Sequence, residues 1–490
     1  MSLDPEDWGA VRALGQRMLD DMLAWQQTVR ERAPWQPVPE EVKARLDEPA
    51  PRNGMALADV YEIFRRDILP YPTGNLHPRF WGWVMGNGTP TGLLADMLAA
   101  GMNCHVAGFD QSAAVVEKRV LAWMKELMGF PEAASGLLVS GGTVANLNGL
   151  LAARTVKAGF DVREEGVRAG PPLTVYRSSE THSWILKACE TMGLGRRAFR
   201  RVPVGAAYRV DVSAMRAMIA ADHAAGLRPF AIVGTAGTVN TGATDDLPAL
   251  RALADETGLW FHVDGAFGAL AAWSARRELV AGQESADSLA FDLHKWGYMP
   301  FEVGVVLTRD ASAQLAAFQA PEAAGAPAYL RSVRQGIGRE ATYFADRGLQ
   351  LSRGFRALKV WMSLKEQGAA RIGAAIERNI EQARYLASLV RGHAELELLA
   401  PVALNIVCFR YAPRAVPETA LNALNQAILA ELQLRGIAVP SQTTLDGRFA
   451  IRVCVTNHRS EDGDFAALAE AVPALGAELL AAAQSPPRPS

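Results

Sequence analysis

Residues 230–264, FAIVGTAGTVNTGATDDLPALRALADETGLWFHVD, decide the fold of this chain. The runs at 230–234 and 260–264 have the length and the β-branched and aromatic content of buried strands. Between them, residues 247–257 place apolar side chains at helical spacing. A strand, a helix and a second strand in this order predict two parallel strands joined by a crossover helix.

The same alternation continues on both sides of this segment. Residues 173–176 and 304–308 are further short apolar runs, and residues 182–192 form another helical pattern. Strands without a polar face are typical of sheets that are covered by helices on both sides. The predicted fold class is therefore α/β, with a large doubly wound, mostly parallel sheet whose functional groups collect at the carboxyl ends of the strands.

The chain before the sheet is predicted to form a helical N-terminal arm, residues 1–80. A helical pattern at 8–32 stops at the segment APWQPVP, because proline lacks an amide hydrogen and clashes with the preceding turn. The large α/β domain is predicted over residues 81–345. It ends near 310–345 in a stretch of small residues and prolines, which indicates a mobile loop.

A second, smaller α/β domain is predicted at residues 346–484. It begins with a long helical pattern at 349–367 and contains apolar runs near 405–411 and 449–455 that are typical of strands. The last residues, 485–490, are rich in proline and serine and are predicted to form a tail.

Composition and charge exclude several classes of function. The 490 residues are 49% hydrophobic and 21% charged, which is ordinary for a globular protein. Lys and Arg total 50 against 52 Asp and Glu, so no basic surface is expected for nucleic acid or for an anionic membrane. The four cysteines are scattered without a C-x-x-C pair, which predicts neither a disulfide framework nor a metal site.

The chain is expected to be cytoplasmic. Its start, MSLDPED, is acidic where a signal peptide would carry positive charge. The apolar stretch at 465–483 contains Glu470 and Glu478, so a membrane span is not expected there. Unpaired cysteines also favour a reducing compartment.

The first sign of chemistry is Lys295, in the segment DSLAFDLHKW at 287–296. It follows an apolar run, and Asp264 stands at the end of another predicted strand, in WFHVDGAF at 260–267. A lysine amine condenses with the aldehyde of pyridoxal phosphate, and an aspartate can pair with the pyridine nitrogen and keep it protonated. The pair therefore suggests this cofactor.

A phosphate site is predicted at VSGGTVANL, residues 139–147. The small residues come directly before a helical pattern at 143–153, and the free amides of a helix N-terminus bind phosphate. The spacing is neither that of dinucleotide-binding loops nor that of nucleoside triphosphatases.

Four motifs in this order resemble those of the group II pyridoxal-phosphate amino-acid decarboxylases. They are GGTVAN at 141–146, SETHS at 179–183, HVD at 262–264 and HKW at 294–296, and the similarity extends from about Asp59 to Val472. The resemblance implies a fold type I enzyme, a carbon–carbon lyase, in which Lys295 forms the aldimine with the cofactor. Asp264 would pair with the pyridinium, and His182 would stack on the ring and touch the substrate carboxylate.

The resemblance also implies the remaining cofactor contacts. Gly142, Thr143 and Asp292 match phosphate-binding positions, and Asp292 would act through its backbone or a water because some members carry asparagine there. The other implied contacts are Thr238, Ala266 and His294.

Tyr329 indicates the type of reaction. It lies in APAYLR at 326–331, within the predicted loop, and matches the loop tyrosine of the family. A phenol with a pKa of about 10 is a suitable acid for protonating Cα after carbon dioxide leaves. Relatives with phenylalanine at this position tend to release an aldehyde, so the tyrosine favours simple decarboxylation to an amine.

The substrate is less well determined. The segment HPRFWGWVMGNG at 77–88 resembles the substrate-pocket region of the family, and Phe80, Trp81 and Trp83 favour an aromatic L-amino acid. His105 is a further candidate substrate contact and leaves a polar or acidic side chain open. The alternatives are therefore a glutamate or other acidic amino-acid decarboxylase, an aromatic acetaldehyde synthase, an aminotransferase and, least favoured, a non-catalytic protein.

The resemblance further implies a homodimer in which the N-terminal arm wraps the neighbouring subunit and both chains build each site. The sequence itself shows only an arm with an apolar face, and such a face must pack on something.

Overall fold

The computed structural model describes residues 2–319, 336–338 and 342–484. These residues form an α/β fold with one seven-stranded and one five-stranded sheet. The strands in chain order are β1 (Phe80–Trp81), β2 (Ser135–Val139), β3 (Leu173–Ser178), β4 (Phe199–Val202), β5 (Arg228–Thr235), β6 (Trp260–Asp264), β7 (Ser288–Asp292), β8 (Gly304–Thr308), β9 (Leu396–Leu398), β10 (Ile406–Tyr411), β11 (Val439–Leu445) and β12 (Arg448–Cys454).

Helices cover the large sheet, extend the N-terminus and back the small sheet. They are α1 (Trp8–Gln27), α2 (Glu40–Leu46), α3 (Leu57–Ile63), α4 (Pro90–Met102), α5 (Ser112–Leu127), α6 (Gly142–Lys157), α7 (Trp184–Thr191), α8 (Val212–Ala224), α9 (Leu247–Thr257), α10 (Ala311–Phe318), α11 (Ala357–Gly392), α12 (Glu418–Leu434) and α13 (Asp462–Gln484).

The large sheet has the strand order β2-β8-β7-β6-β5-β3-β4. Strand β8 runs antiparallel to both of its neighbours, and the remaining pairs are parallel. Every residue of β2, β6, β7 and β8 is buried, as strands covered on both faces require. The predicted doubly wound, mostly parallel sheet is confirmed.

The unit β5–α9–β6 shows why this sequence folds locally as it does. Helix α9 begins where the carboxylate of Asp246 accepts a hydrogen bond from the amide of Ala249. It ends at Gly258, whose φ of 69° lies in the left-handed region that favours glycine. One side of α9 packs on the sheet, and the chain returns to form β6 beside β5 in parallel register.

The small sheet has the order β1-β11-β12-β10-β9. Strand β1 pairs in parallel with β11, so the chain first contributes to the small sheet and then enters the large one. The long helix predicted at 349–367 instead begins at Ala357 and runs to Gly392, with an interruption at Gly368, where φ is 72°. The predicted loop at 310–345 opens with α10, whose N-terminus is capped by Asp310.

Helix α13 is the one helix, within the described part of the chain, that is long and apolar enough to cross a membrane by composition alone. Its side chains Phe465, Leu468 and Val472 are buried in the core of the small sheet, where Phe465 stacks on Trp81. This packing accounts for the apolar composition of the helix.

Candidate active site

A cavity of about 500 Å³ lies at the carboxyl ends of the central strands of the large sheet. Strands β5, β6 and β7 bring Thr235, Asp264 and Asp292 to its wall, because parallel strands end on the same edge of a sheet. The N-terminus of α6 forms another part of the wall. This is the position that the sequence predicts for the functional groups.

Lys295 reaches the cavity from the turn after β7. Its Nζ lies 2.8 Å from Oδ2 of Asp292, a carboxylate that is almost fully buried. Burial lowers the pKa of Lys295, but the charge and hydrogen bond of Asp292 together with the charge of Asp264 more than offset this effect, so the pKa is raised. The turn also leaves no room for a side chain at Gly86, whose Cβ would contact the carbonyl oxygens of His294 and Lys295.

Asp264 ends β6 and receives three hydrogen bonds. Trp184 Nε1 donates to Oδ2 at 2.6 Å, and the amide of Ala266 and Nδ2 of Asn146 donate to Oδ1 at 3.1 and 3.3 Å. Donors on both oxygens stabilise this carboxylate as an anion and fix its orientation. It can therefore hold a cationic group in the cavity.

The N-terminus of α6 offers a cradle for an anion. Helix geometry leaves the amides of Gly142, Thr143 and Val144 without an acceptor in their own helix, and no described side chain caps them. A Cβ at Gly142 would lie 2.8 Å from Oδ2 of Asp292 and 3.4 Å from Cβ of Ala266, so glycine keeps this space open. The charge of Asp292, which faces the cradle, is balanced by Lys295.

Two histidines line the cavity. His182 precedes α7 and is exposed at the cavity wall, where its Nδ1 accepts a hydrogen bond from the amide of Trp184 at 3.1 Å. The surrounding protein partly excludes water from the imidazole, which lowers the pKa of His182, and the charge of Lys295 lowers it further. His294 is buried and accepts a hydrogen bond on Nδ1 from the amide of Val303 at 3.1 Å, and burial lowers its pKa.

Thr238 is not brought to the cavity. It is fully buried, its Oγ1 lies 3.1 Å from that of Thr241, and it accepts a hydrogen bond from the amide of Ala243. The threonine that lines the cavity is Thr235, at the end of β5. Thr238 is therefore part of the turn after β5, and Thr235 lies at the cavity wall instead.

The four predicted substrate residues are separated by the fold. Trp83 lines the cavity, and Phe80 packs behind it with 6.2 Å between the ring centroids. Trp81 points to the other side of the strand, into the core of the small sheet, where its Nε1 donates a hydrogen bond to Oγ of Ser460. His105 is exposed beside Phe109 and does not line the cavity within the described chain.

Tyr329 lies outside the described residues. Other residues that the motifs did not assign do line the cavity, chiefly Asn146, Trp184 and Phe301. Asn146 lies one helical turn after Gly142, so helical spacing was a signal that it shares the cavity face of α6. Trp184 and Phe301 carry no comparable signal, because their positions depend on how α7 and the segment after Lys295 pack.

Comparisons with known proteins agree with this geometry. The model of the pyridoxal-dependent decarboxylase conserved domain matches residues 39–412. An aromatic-L-amino-acid decarboxylase of Bacillus atrophaeus is 32% identical over 442 residues, which are 89% of this chain and 89% of that protein. An L-2,4-diaminobutyrate decarboxylase of Rhizobium meliloti (strain 1021) is 32% identical over 415 residues, 84% of this chain and 81% of that protein.

The fold agrees as well. The crystal structure of Oryza sativa TDC with PLP and tryptamine matches with a TM-score of 0.88 at 24% identity, over 98% of this chain and 100% of that one. The chain belongs to the family of pyridoxal-dependent decarboxylases. It is a pyridoxal-phosphate-dependent amino-acid decarboxylase, a carbon–carbon lyase of fold type I.

The cavity residues fit pyridoxal phosphate. The free amides of α6 suit the phosphate, and the hydroxyl of Thr235, buried and without a partner among the described residues, supplies one more hydrogen-bonding group. Asp264 is an anion suited to a protonated ring nitrogen, and Lys295 is an amine suited to the aldehyde. The cofactor would thus be held at its phosphate, its ring and its aldehyde.

Proposed function

We propose that this enzyme decarboxylates an aromatic L-amino acid to the corresponding amine and carbon dioxide. The observation that carries the proposal is that Lys295, Asp264 and the α6 cradle line one cavity whose wall also holds Trp83 and Phe301. When bound, pyridoxal phosphate accepts the electron pair that remains at Cα when carbon dioxide leaves.

The polar residues of the cavity hold and orient the reactants. Lys295 would hold the cofactor at its aldehyde, and Asp292 keeps the lysine amine in place through its ion pair. Asp264 would stabilise positive charge on the ring nitrogen, while Gly142 and Thr143 would hold the phosphate through their backbone amides. His182 would contact the substrate carboxylate from the cavity wall and help to orient it, because the orientation of the bonds at Cα selects the one that breaks.

Tyr329 is assigned as the acid that protonates Cα, and this role rests on the sequence alone. The test is Tyr329→Phe with an aromatic substrate. With the acid removed, we expect amine formation to fall and an aldehyde to appear with ammonia and peroxide, in reactions that consume oxygen. Unchanged amine as the sole product would assign the proton to another group.

The apolar wall supports an aromatic substrate. Trp83, Phe267 and Phe301 line the cavity, and aromatic rings pack favourably with one another. Among the described lining residues, Lys295 is the only lysine or arginine, and it is already paired with Asp292. A second substrate carboxylate would therefore meet no free cation there, which disfavours glutamate.

The test is carbon dioxide release by the cofactor-loaded enzyme from a panel of L-amino acids, with products identified by mass and peroxide followed in parallel. Amine from phenylalanine, tyrosine, tryptophan or DOPA is the expected result. Amine from glutamate or 2,4-diaminobutyrate alone would overturn the aromatic assignment but keep the reaction. Amino-group transfer without carbon dioxide release would indicate an aminotransferase.

A homodimer with shared active sites is part of this proposal. None of the residues of α1 is buried, although Arg17 in α1 pairs with Glu62 in α3. Large apolar side chains are exposed on the arm and on α4: Leu3, Trp8, Met55, Leu57, Met97 and Met102. Exposed apolar surface of this kind marks interaction sites, and a second copy is the expected partner. A monomer by light scattering at micromolar concentration would contradict this.

The assignment to the cytoplasm stays a prediction. All four cysteines are free, and three of them, Cys189, Cys408 and Cys454, are buried. Free thiols are typical of a reducing compartment. Fractionation of cells that express the tagged enzyme would test the assignment.

A further inference from the structure

A chain of hydrogen bonds runs beneath the cavity, from Trp260 to Asp264. Trp260 Nε1 donates to Oγ of Ser288 at 2.8 Å, and Ser288 Oγ lies 2.7 Å from Nδ1 of His262. His262 Nε2 lies 2.7 Å from Oδ1 of Asn146, whose Nδ2 donates to Oδ1 of Asp264 at 3.3 Å. All five side chains are buried. We refer to them as the buried hydrogen-bond chain.

The direction of each bond follows from what each group can donate. Asn146 Nδ2 donates to the carbonyl oxygen of Gly142 at 2.8 Å and to Asp264, because the opposite amide orientation would place its oxygen against two acceptors. Oδ1 of Asn146 must therefore accept from His262 Nε2. Burial lowers the pKa of His262 to about 4, so the ring is neutral and its Nδ1 is an acceptor.

The other end of the buried hydrogen-bond chain is compatible with the same arrangement. The indole of Trp260 can only donate, so Ser288 accepts its hydrogen bond and has its own hydroxyl hydrogen left for Nδ1 of His262. The Asn146 end thus selects one tautomer of His262, and Ser288 can donate to the Nδ1 that this tautomer leaves unprotonated. Such a chain is polarised in one direction, and its members strengthen one another.

We propose that Ser288 and His262 are positioning residues that fix Asn146 as a donor to Asp264, and thereby keep this carboxylate anionic and aimed at the ring nitrogen of the cofactor. The inference rests on the proposed role of Asp264. If the hydrogen bonds of the buried hydrogen-bond chain lost their common direction, the amide oxygen of Asn146 could turn toward the carboxylate of Asp264 and repel it. The ring nitrogen would then be protonated less completely.

The large sheet supplies a matched control for Ser288. Ser288 lies beside Thr308 on β8, and Thr308 lies beside Ser135 on β2. The hydroxyl of Ser135 is buried and has no partner among the described residues. The substitution Ser135→Ala therefore removes the same group from the same row of the sheet without touching the buried hydrogen-bond chain.

The experiment compares the wild type with Ser288→Ala, Ser288→Thr and Ser135→Ala, each loaded with pyridoxal phosphate labelled with ¹⁵N in the ring. Solid-state NMR gives the protonation of the ring nitrogen, and dialysis gives the rate of cofactor loss. In Ser288→Ala we expect a resonance shifted toward neutral pyridine and about tenfold faster cofactor loss. Ser135→Ala keeps both wild-type values, and Ser288→Thr restores them because it retains a hydroxyl.

A second variant, Asn146→Leu, removes the donor to Asp264 directly and decides the question if Ser288→Ala fails to fold. We expect the same shift of the ¹⁵N resonance. A wild-type resonance in the folded variants, with only a lower melting temperature, would overturn the inference and leave the chain a structural feature. A neutral ring nitrogen in the wild type, or retention of the covalent cofactor in Lys295→Ala, would instead overturn the proposed roles of Asp264 and Lys295.

Discussion

The two ends of the cavity differ in how completely the single chain builds them. At the cofactor end, Asp264 is 3% exposed and both of its oxygens accept hydrogen bonds from neighbouring residues. At the substrate end, Trp83 is 55% and Phe301 54% exposed. The cofactor end is buried and its carboxylate is fully hydrogen-bonded within the chain, whereas the aromatic side chains of the substrate end remain more than half exposed.

The difference indicates which properties the large sheet determines. The groups that we propose to bind the cofactor come mainly from strand ends and from one helix N-terminus, so they are fixed by the same packing that forms the core. Groups that select the substrate come from connecting segments, which vary more readily. We therefore expect substitutions at the cofactor end to abolish chemistry and those at the substrate end to alter affinity.

Lys295→Ala should have the largest effect. Without the amine, the cofactor has no covalent attachment, and turnover should fall by about a thousandfold or more. The visible absorption band of the bound cofactor should disappear at the same time. Measurable turnover near the wild-type rate would show that the cofactor end does not carry the reaction.

Asp264→Asn should lower kcat by about a hundredfold, because the substitution keeps the size of the side chain and removes its charge. The single amide oxygen of asparagine can accept either from Trp184 or from Ala266 and Asn146, so one of these donors loses its acceptor and the melting temperature should fall as well. Steady-state kinetics and the absorption spectrum of the cofactor test this. A change confined to KM would contradict the assigned role.

Trp83→Ala should raise KM for an aromatic substrate by about tenfold and leave kcat and cofactor retention close to wild type. The reason is that Trp83 supplies apolar surface at the open end of the cavity and has no contact with Lys295 or Asp264 among those that the structure shows. The control is the same variant with a small aliphatic amino acid. Loss of the cofactor on this substitution would erase the distinction between the two ends.

His262 predicts a dependence of stability on pH. Its pKa is about 4 in the folded protein and 6.5 when unfolded, so between these values the unfolded state binds more protons. His262 should therefore make the free energy of unfolding rise with pH there and contribute at most about 1.4 kcal/mol per pH unit, a contribution that is lost as the pH falls toward 4; His77 and His458, whose pKa values are also lowered to about 4, add to the total slope. Urea unfolding at several pH values measures the slope.

His262→Gln should reduce that slope by the contribution of one histidine, and His223→Gln, at an exposed position, should leave it unchanged. Equal slopes in the two variants would mean that the buried imidazole does not titrate differently in the folded and unfolded states.

Much of this protein follows from its sequence. The pattern of residues 230–264 predicts the parallel unit that the structure confirms as β5–α9–β6, because short buried strands and an amphipathic helix are local signals. The same local signals place Asp264 at a strand end and Gly142 directly before a helix, whereas Asp292 is implied only by the family resemblance. Since parallel strands end on one edge, these residues had to meet.

Only the tertiary structure decided which neighbouring side chains complete the site. Thr235 rather than Thr238 lines the cavity because the turn after β5 folds Thr238 inward. The side chains of Trp81 and Trp83 lie in different places although the residues are two positions apart. The strand directs Trp81 into the core of the small sheet, whereas Trp83 has a positive φ of 51° that turns the chain. Side-chain direction at strand ends and turns depends on long-range packing, which no local pattern of residues encodes.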